Sequence, residues 1–573
     1  MHTTARTSAD PEAKPSGGGG FWLPLGLGLA GAAAYANSLA VPLLFDDDSS
    51  IATNDSLRHL GAVFWPPGGT TVGGRPFLNL TLALDYAVSG TGVWSYHATN
   101  VAIHLLAGLT LYGLVRRTLA PRAAGAAAGI AFCAALLWML HPLQTESVTY
   151  VIQRAESLMG LLYLLTLYCF RRGAEARGRA ASRWFALAAT ACLLGMATKE
   201  VMVSAPLVVF LYDRTFLVGT FREAWRRRQS AYWSLAATWL LLAGLVVLNH
   251  GRGGTAGFSG RLPVARYALT QFVAIVHYLR LCFWPHPLVF SYGSTLVLAP
   301  GRIGLAAAAV AGLLAATGWA LVRRPALGFL GFGFFAILAP SSSVVPIATE
   351  TMAEQRMYLP LAAVAVLVAI GIHRGAGRWA LPCCLVLAAA LGGATLQRNR
   401  DYANPLRLWG ETVAECPDNF FARYDYGSEL AKIPGRSAEA IAQFEAAIRL
   451  NPDLAEAHFY LASLLQQEPG RLPEAAAHYE EVLRLSPDDF KAHTNLGNIL
   501  VLQGKAPEAI AHYRAALRLN PNLAEVHFDL ALVLLGTPGG TPEAIEHLKA
   551  GLRLQPGEDR ARRILAQVTG SQP

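Results

Sequence analysis

Three adjacent carboxylates, Asp46, Asp47 and Asp48, follow directly on an apolar run in this chain of 573 residues. Neighbouring carboxylates raise one another's pKa, so one of them can act as a base toward a hydroxyl or hold a cation. The same triplet also suits a solvated turn that ends a helix. Asp85, inside a further apolar stretch, is either a partner carboxylate or a satisfied loop residue. Cations in or beside apolar runs say more, because a charge at a membrane is expensive. Arg154 lies about one turn into such a run, Lys199 and Glu200 close another, and Glu354, Arg356 and Tyr358 open a third. With Arg280 they form a set suited to cradling a lipid-linked phosphate, since guanidinium groups bind phosphate oxygens bidentately. Taken singly, each also fits an anchor whose charged end reaches for water. His97, Asn100 and His104 share one helical face, and His141 and Glu146 sit in a tight turn. Histidines near carboxylates suit a metal, but polar packing within a helix bundle is the favoured account. There is no P-loop, no GxGxxG after a strand, no HExxH and no GxSxG.

The elements that must position these residues are membrane helices. The chain is 53% hydrophobic and 15% charged, against roughly 25% charged for soluble domains. Apolar runs of spanning length fall near 21–44, 98–115, 124–140, 148–170, 184–198, 201–212, 232–248, 303–322, 327–345, 358–373 and 379–396. The first is expected to be an uncleaved helix, after a disordered segment 1–20. The stretch 266–290, broken by prolines and charges, is expected to re-enter the membrane or lie along its interface, giving about 11–12 spans. Arginines cluster between runs, at Arg116–Arg117, Arg171–Arg172 and Arg226–Arg228, which is the positive-inside pattern. The net charge of +9 therefore speaks for membrane topology, not for nucleic acid. Placing those clusters in the cytoplasm puts the segments 45–97, 141–147, 198–200, 249–302 and 346–357 outside, together with everything after 401. The seven cysteines form no metal-spaced set and are read as small core residues.

From about residue 401 the solvent changes. Prolines recur at Pro417, Pro452, Pro487, Pro521 and Pro556, and the helix before each of the last four repeats one pattern. Ala440, Phe444 and Ala447 are echoed by Ala475, Tyr479 and Val482, by Ala509, Tyr513 and Ala516, and by Ala544, Leu548 and Gly551. A period near 34 with these residues is that of tetratricopeptide repeats. A half repeat near 404–417 precedes repeats at about 418–452, 453–487, 488–521 and 522–556. The fold class is therefore all-α: a polytopic bundle over 21–396, then an α-solenoid over 401–573. Such solenoids offer a concave face to an extended peptide or a partner helix. An array that merely scaffolds is the alternative.

The chain resembles the transmembrane and tetratricopeptide-repeat family, whose eukaryotic members are O-mannosyltransferases acting on cadherins. The resemblance rests on Phe45-Asp46-Asp47, Arg75-Pro76, His97-Ala98-Thr99-Asn100 with His104, His141 to Val148, Arg154-Ala155-Glu156, Lys199-Glu200 and Glu354 to Pro360, in that order. It implies a GT-C glycosyltransferase fold, a polyprenyl-phosphate sugar donor and inverting transfer at the outer membrane face. By resemblance, Asp46 or Asp47 is the general base on the acceptor hydroxyl. Arg154, Lys199 and Arg356 neutralise the departing phosphate, with Arg75, His97, His141, Glu146, Glu200, Glu354 and Tyr358 in support. No metal and no resident cofactor are implied; the lipid-linked sugar is a co-substrate. The Ala/Gly/Arg-rich composition points to a bacterial source and an inner-membrane location. The expected acceptors are Ser and Thr hydroxyls of exported proteins that the repeats recruit. A repeat-bearing scaffold and a GT-C enzyme acting on a lipid or glycan are the rival readings.

Overall fold

A computed structural model describes residues 21–59, 61–249, 263–294, 296, 299–343, 345, 347 and 350–570. The expected disordered segment 1–20 lies outside these residues. The described chain is all-α, with no strand among the described residues, and divides into two compact units, Met1–Leu408 and Trp409–Pro573.

In the first unit, α3 (Val93–Leu119), α4 (Ala124–Met139) and α6 (Arg154–Glu175) form the centre. Every residue of α4 from Ile130 to Met139 is buried, because it is flanked by α1 (Trp22–Tyr35), α3 and the helix Leu361–Ala376. A helix apolar on all sides has no solvent face to present, so it takes the middle of the bundle. The outer helices differ. Only 22% of the apolar window of α9 (Phe221–Leu248) and 17% of that of Pro300–Arg323 is buried. Leu240, Val247, Leu248, Leu305, Trp319 and Val322 point outward from them. Apolar side chains on the outside of a bundle require lipid around it.

Among the described residues, five helices are long and apolar enough to cross a membrane: Val93–Leu119, Glu200–Val218, Phe221–Leu248, Pro300–Arg323 and Leu361–Tyr402. The pair Ala124–Met139 and Pro142–Thr149, bent by 58°, makes a sixth if it is one broken span. The chain is a multi-pass membrane protein. The larger number of spans read from the sequence counted every apolar run. Several of those runs form helices that are short, such as α1 with 14 residues, or that carry buried charge, such as α6.

Two stretches depart from the sequence reading in ways that matter for the site. The segment 45–97 is not a plain loop, since it contains α2 (Pro76–Ser89), started by a proline at its first position. An amide ladder ties α2 to the preceding turns: Asn54 Nδ2 donates to Asn79 Oδ1 at 3.1 Å, and Asn79 Nδ2 donates to the Val63 carbonyl at 2.8 Å. The apolar run at 148–170 is broken as well. After His141 the chain makes a 3-10 turn and the short α5 (Thr145–Thr149), and α6 begins only at Arg154.

The second unit stacks four helix pairs. They are Phe420–Ala431 with Ser437–Leu450, Ala455–Leu465 with Leu472–Leu485, Phe490–Leu502 with Ala506–Leu519, and Ala524–Leu535 with Thr541–Leu554. Helix Asp559–Thr569 packs on the last of them. The repeating Ala440, Ala475, Ala509 and Ala544 are fully buried, as are Phe444, Tyr479 and Leu548. Gly497 permits the close crossing within its pair, because a Cβ there would lie 2.7 Å from Tyr513 Cε1. Gly497→Ala is therefore expected to overpack this crossing and cost about 1–3 kcal/mol. Thermal unfolding of the repeats would read that loss, and an unchanged midpoint would show that Tyr513 swings aside freely.

Candidate active site

Four segments converge at one end of the bundle: the acidic turn after α1, the start of α2, the first turn of α6, and the region around Lys199. The acidic turn is held in an unusual backbone. Phe45 has φ of 43°, a left-handed conformation that a bulky residue rarely adopts, so the surrounding contacts must impose it. Those contacts are visible. Asp47, completely buried, accepts hydrogen bonds from the backbone N–H of Leu44 at 3.0 Å and of Ile152 at 2.8 Å, one on each carboxylate oxygen. The Asp46 N–H donates to the Tyr150 hydroxyl at 2.9 Å. Together they clip the turn onto the 150–153 segment.

This divides the three acids. Asp47 spends both oxygens on backbone donors, and burial raises its carboxyl to about 8. Asp46 is half-buried; its Oδ2 accepts from Thr71 Oγ1 at 2.9 Å. Burial raises its pKa, while Thr71 and the nearby Arg75 hold it down. Asp48 is exposed and helps to start the next turn.

The first turn of α6 carries two buried ion pairs. Arg154, fully buried, places Nη2 at 2.6 Å from Asp85 Oδ2 and donates from the same nitrogen to the Tyr96 carbonyl at 2.9 Å. Its Nε donates to Asn100 Oδ1 at 2.5 Å, and Nη1 reaches Thr81 Oγ1 at 3.4 Å. Two residues on, Glu156 Oε1 lies 2.7 Å from Lys199 Nζ. The guanidinium of Arg154 thus has its donors engaged within the protein, an arrangement that fixes α2 and α3 against α6. It offers no open fork to a phosphate.

Lys199 and Arg75 lie on a cavity of about 330 Å³. Its polar wall comprises Arg75, Lys199, Glu200, Asn249 and Ser341, and its apolar wall includes Val203, Leu242, Leu245 and Val246. Arg75, on this cavity's wall, also acts electrostatically on Asp46. Its Nη1 donates to the Thr71 carbonyl at 2.8 Å, and its Nη2 lies 3.6 Å from Glu200 Oε2. Arg356 is held by the backbone carbonyls of Glu350, at 2.7 Å, and Thr351, at 3.2 Å. Glu350 joins the groups electrostatically: burial raises its carboxyl to about 7, opposed by Arg356 and Lys199 and reinforced by Asp46. Burial also raises Glu354 to about 7, against the pull of Arg398. Glu354 accepts from the Val289 N–H at 2.7 Å and from the Tyr292 hydroxyl at 2.9 Å. Glu146 accepts from the Gln355 N–H at 3.0 Å.

The histidines His97, His104 and His141 each meet a backbone carbonyl. His97 Nε2 meets the Val41 carbonyl at 2.9 Å, and His141 Nε2 meets the Cys282 carbonyl at 3.1 Å. His104 bridges the Met139 carbonyl and the Tyr358 hydroxyl, each at 2.9 Å. Among the described residues no three His, Cys, Asp or Glu side chains converge as a metal-ligand set. Arg280 stands apart from the cluster, donating to the His286 carbonyl at 2.9 Å. Sequence reasoning missed Glu350 and Glu156 as site members and left Asp85 unassigned. A signal existed for the last two: Arg154 and Glu156 both enter an apolar helix, and each demands an opposite charge.

Family comparisons agree with the repeats. Models described as TPR repeat and tetratricopeptide repeat match residues 497–537, 435–490 and 478–511. Protein O-mannosyl-transferase TMTC2 of Mus musculus is 32% identical over 196 residues, 32% of this chain and 23% of the relative. TMTC4 of the same species is 25% identical over 487 residues, 72% of this chain and 64% of the relative. The chain is similar in sequence to the TMTC proteins. Tmtc3 of Drosophila melanogaster matches over 74% of this chain, at 25% identity and 54% of its own length. Against the TMTC2 proteins of mouse, fly and human, the match spans only 23%, 29% and 23% of the relative's length. Among solved structures, YrrB, a TPR protein with an unusual peptide-binding site, covers 29% of this chain and 84% of its own at 19% identity and a TM-score of 0.27.

Losing one partner of a buried pair leaves a charge uncompensated, at about 3–5 kcal/mol. Arg154→Met is therefore expected to abolish stable folding, as judged by thermal unfolding in detergent. A well-folded Arg154→Met protein that had lost only activity would return this residue to the ligand site.

Proposed function

We propose that this protein is an inverting membrane glycosyltransferase of GT-C type that moves a sugar from a polyprenyl-phosphate donor to Ser or Thr hydroxyls of exported proteins. The observation that carries the proposal is the cavity whose wall holds Arg75, the cation that acts on Asp46, with cations on one side and aliphatic side chains on the other. That pairing suits an amphiphilic phosphate ester whose lipid tail lies in the membrane. Lys199 and Arg75 meet the phosphate, and Arg356 adds fixed positive charge close by. The acceptor oxygen attacks the anomeric carbon as the bond from that carbon to the phosphate oxygen breaks. The hydroxyl proton passes to the Asp46 carboxylate, and the phosphate departs with its new charge facing fixed cations. Asp46 suits the base because it is part-exposed with one oxygen on Thr71, whereas Asp47 has both oxygens occupied. Asp47, Arg154, His97, His141, Glu146, Glu354 and Tyr358 hold the geometry. The repeats recruit the acceptor protein. The site segments and the repeats face the extracytoplasmic side of a bacterial inner membrane, as the arginine clusters indicate.

Glycopeptide mass spectrometry of envelope proteins from a deletion strain, complemented with wild type or Asp46→Asn, tests this. A hexose-type mass on Ser or Thr is expected to return only with wild type. Transfer at the wild-type level by Asp46→Asn would remove the acidic turn from the chemistry. A base works only when deprotonated, so activity is lost as pH falls through its pKa. The acid limb of the reconstituted rate is accordingly expected above the ordinary aspartate value of about 3.9. A limb at or below that value would exclude Asp46.

A further inference from the structure

The repeats carry a feature that sugar transfer does not use. In three successive helix pairs, a histidine on the first helix faces a histidine on the second through their Nδ1 atoms: His458 with His478, His493 with His512, and His527 with His547, each at 2.9 Å. The first histidine of each pair also reaches a repeat-boundary proline carbonyl through Nε2: Pro452 at 3.1 Å, Pro487 at 3.2 Å and Pro521 at 3.1 Å. A carbonyl only accepts, so Nε2 of that first histidine carries its hydrogen and Nδ1 is left as an acceptor. The second histidine then donates its Nδ1–H. The geometry is self-consistent in all three pairs, and it accommodates one proton between the two Nδ1 atoms. A second would set two N–H groups head-on.

We infer that these stacked pairs make the repeat array a proton-sensitive device, tight when each pair shares a single proton and loosened when both imidazoles are charged. A pair can take a first extra proton on the outward Nε2 of its second histidine without breaking the bridge. The next must go to the shared Nδ1 and breaks it.

The surroundings differ from pair to pair. Around His478 lie Glu474 on its own helix, Glu445 on the preceding helix and Arg471 in the connecting turn, with Glu481 near both rings. Around His547 lie Glu543, 3.7 Å from Nε2, and Arg514 on the preceding repeat. The group resolved as acting on His512 is His493 alone. The acidic neighbours ease a first charge at the outer pairs, but none removes the clash at the shared Nδ1. Burial, and then the partner ring, lowers the pKa of His478, His512 and His547. The folded array therefore binds fewer protons than the unfolded chain, whose histidines titrate near 6.5. Its stability is fully present above that pH and is lost as pH falls below it. This controls the module assigned to acceptor recruitment, whatever the acceptor is.

The test is hydrogen exchange of the full-length protein in detergent, read by mass spectrometry on peptides within 455–554 and divided by the intrinsic exchange rate at each pH. Between pH 7.5 and 5.5, protection in the wild type is expected to fall by about tenfold per pair. The variant with His478→Asn, His512→Asn and His547→Asn puts in an amide that donates to a neutral partner imidazole or turns its carbonyl oxygen to accept from a charged one, and is expected to lose that slope. Should the triple variant be unprotected at pH 7.5, each single substitution is expected to flatten the slope in its own repeat only. A pH-independent wild type, or variants that keep the wild-type slope, would overturn the inference.

Discussion

A charge buried in a lipid-embedded helix bundle must find its opposite, and the first turn of α6 is where this protein meets that demand twice. Arg154 takes Asp85 from α2, and Glu156 takes Lys199 from the segment after α7 (Gly178–Met196). Unpaired, either would carry a desolvation penalty of several kcal/mol that no local contact offsets. Because both pairs start from one turn, they bring α2, α3 and the Lys199 segment to a common point. The acidic turn is then added through Asp47 and Tyr150. The candidate site follows from the need to neutralise these charges.

The same constraint separates groups that look alike in sequence. Asp46 and Asp47 are adjacent and chemically identical, yet one is locked between two backbone N–H groups and the other accepts from Thr71 and feels the charge of Arg75. Arg154 and Lys199 were equivalent cations until packing enclosed the first completely and set the second on the cavity wall. Burial thus sorts charges into those that hold the frame and those that can meet a ligand. A site assembled from both kinds keeps its electrostatic field fixed while substrate enters, as transition-state stabilisation requires.

The repeats follow a different logic. They lie in water, and their order comes from identical small contacts repeated along the chain: a buried alanine, an aromatic or leucine one turn on, a tight crossing such as that at Gly497. The histidine pairs belong to this repetition, since a residue placed on each of the two helices in three successive repeats meets its partner in all three. Periodicity therefore multiplies any chemistry carried by one pair.

The sequence by itself determined the all-α class, the membrane character, the solenoid and its period, and the residue types from which a site is built. Each of these is encoded over a few turns of helix or one repeat, where hydrophobic period and proline spacing act locally. Tertiary structure alone decided which carboxylate meets which cation. It placed a helix within the segment after the acidic turn and broke the run before Arg154. It also gave Glu350 its place among the charged groups. The physical reason is range. The Lys199–Glu156 pair closes over 43 residues, and the link from Asp47 to Ile152 over 105, so no local pattern announces either one. Periodicity sets which face of a helix is buried, but only the packed bundle sets which charge lies opposite.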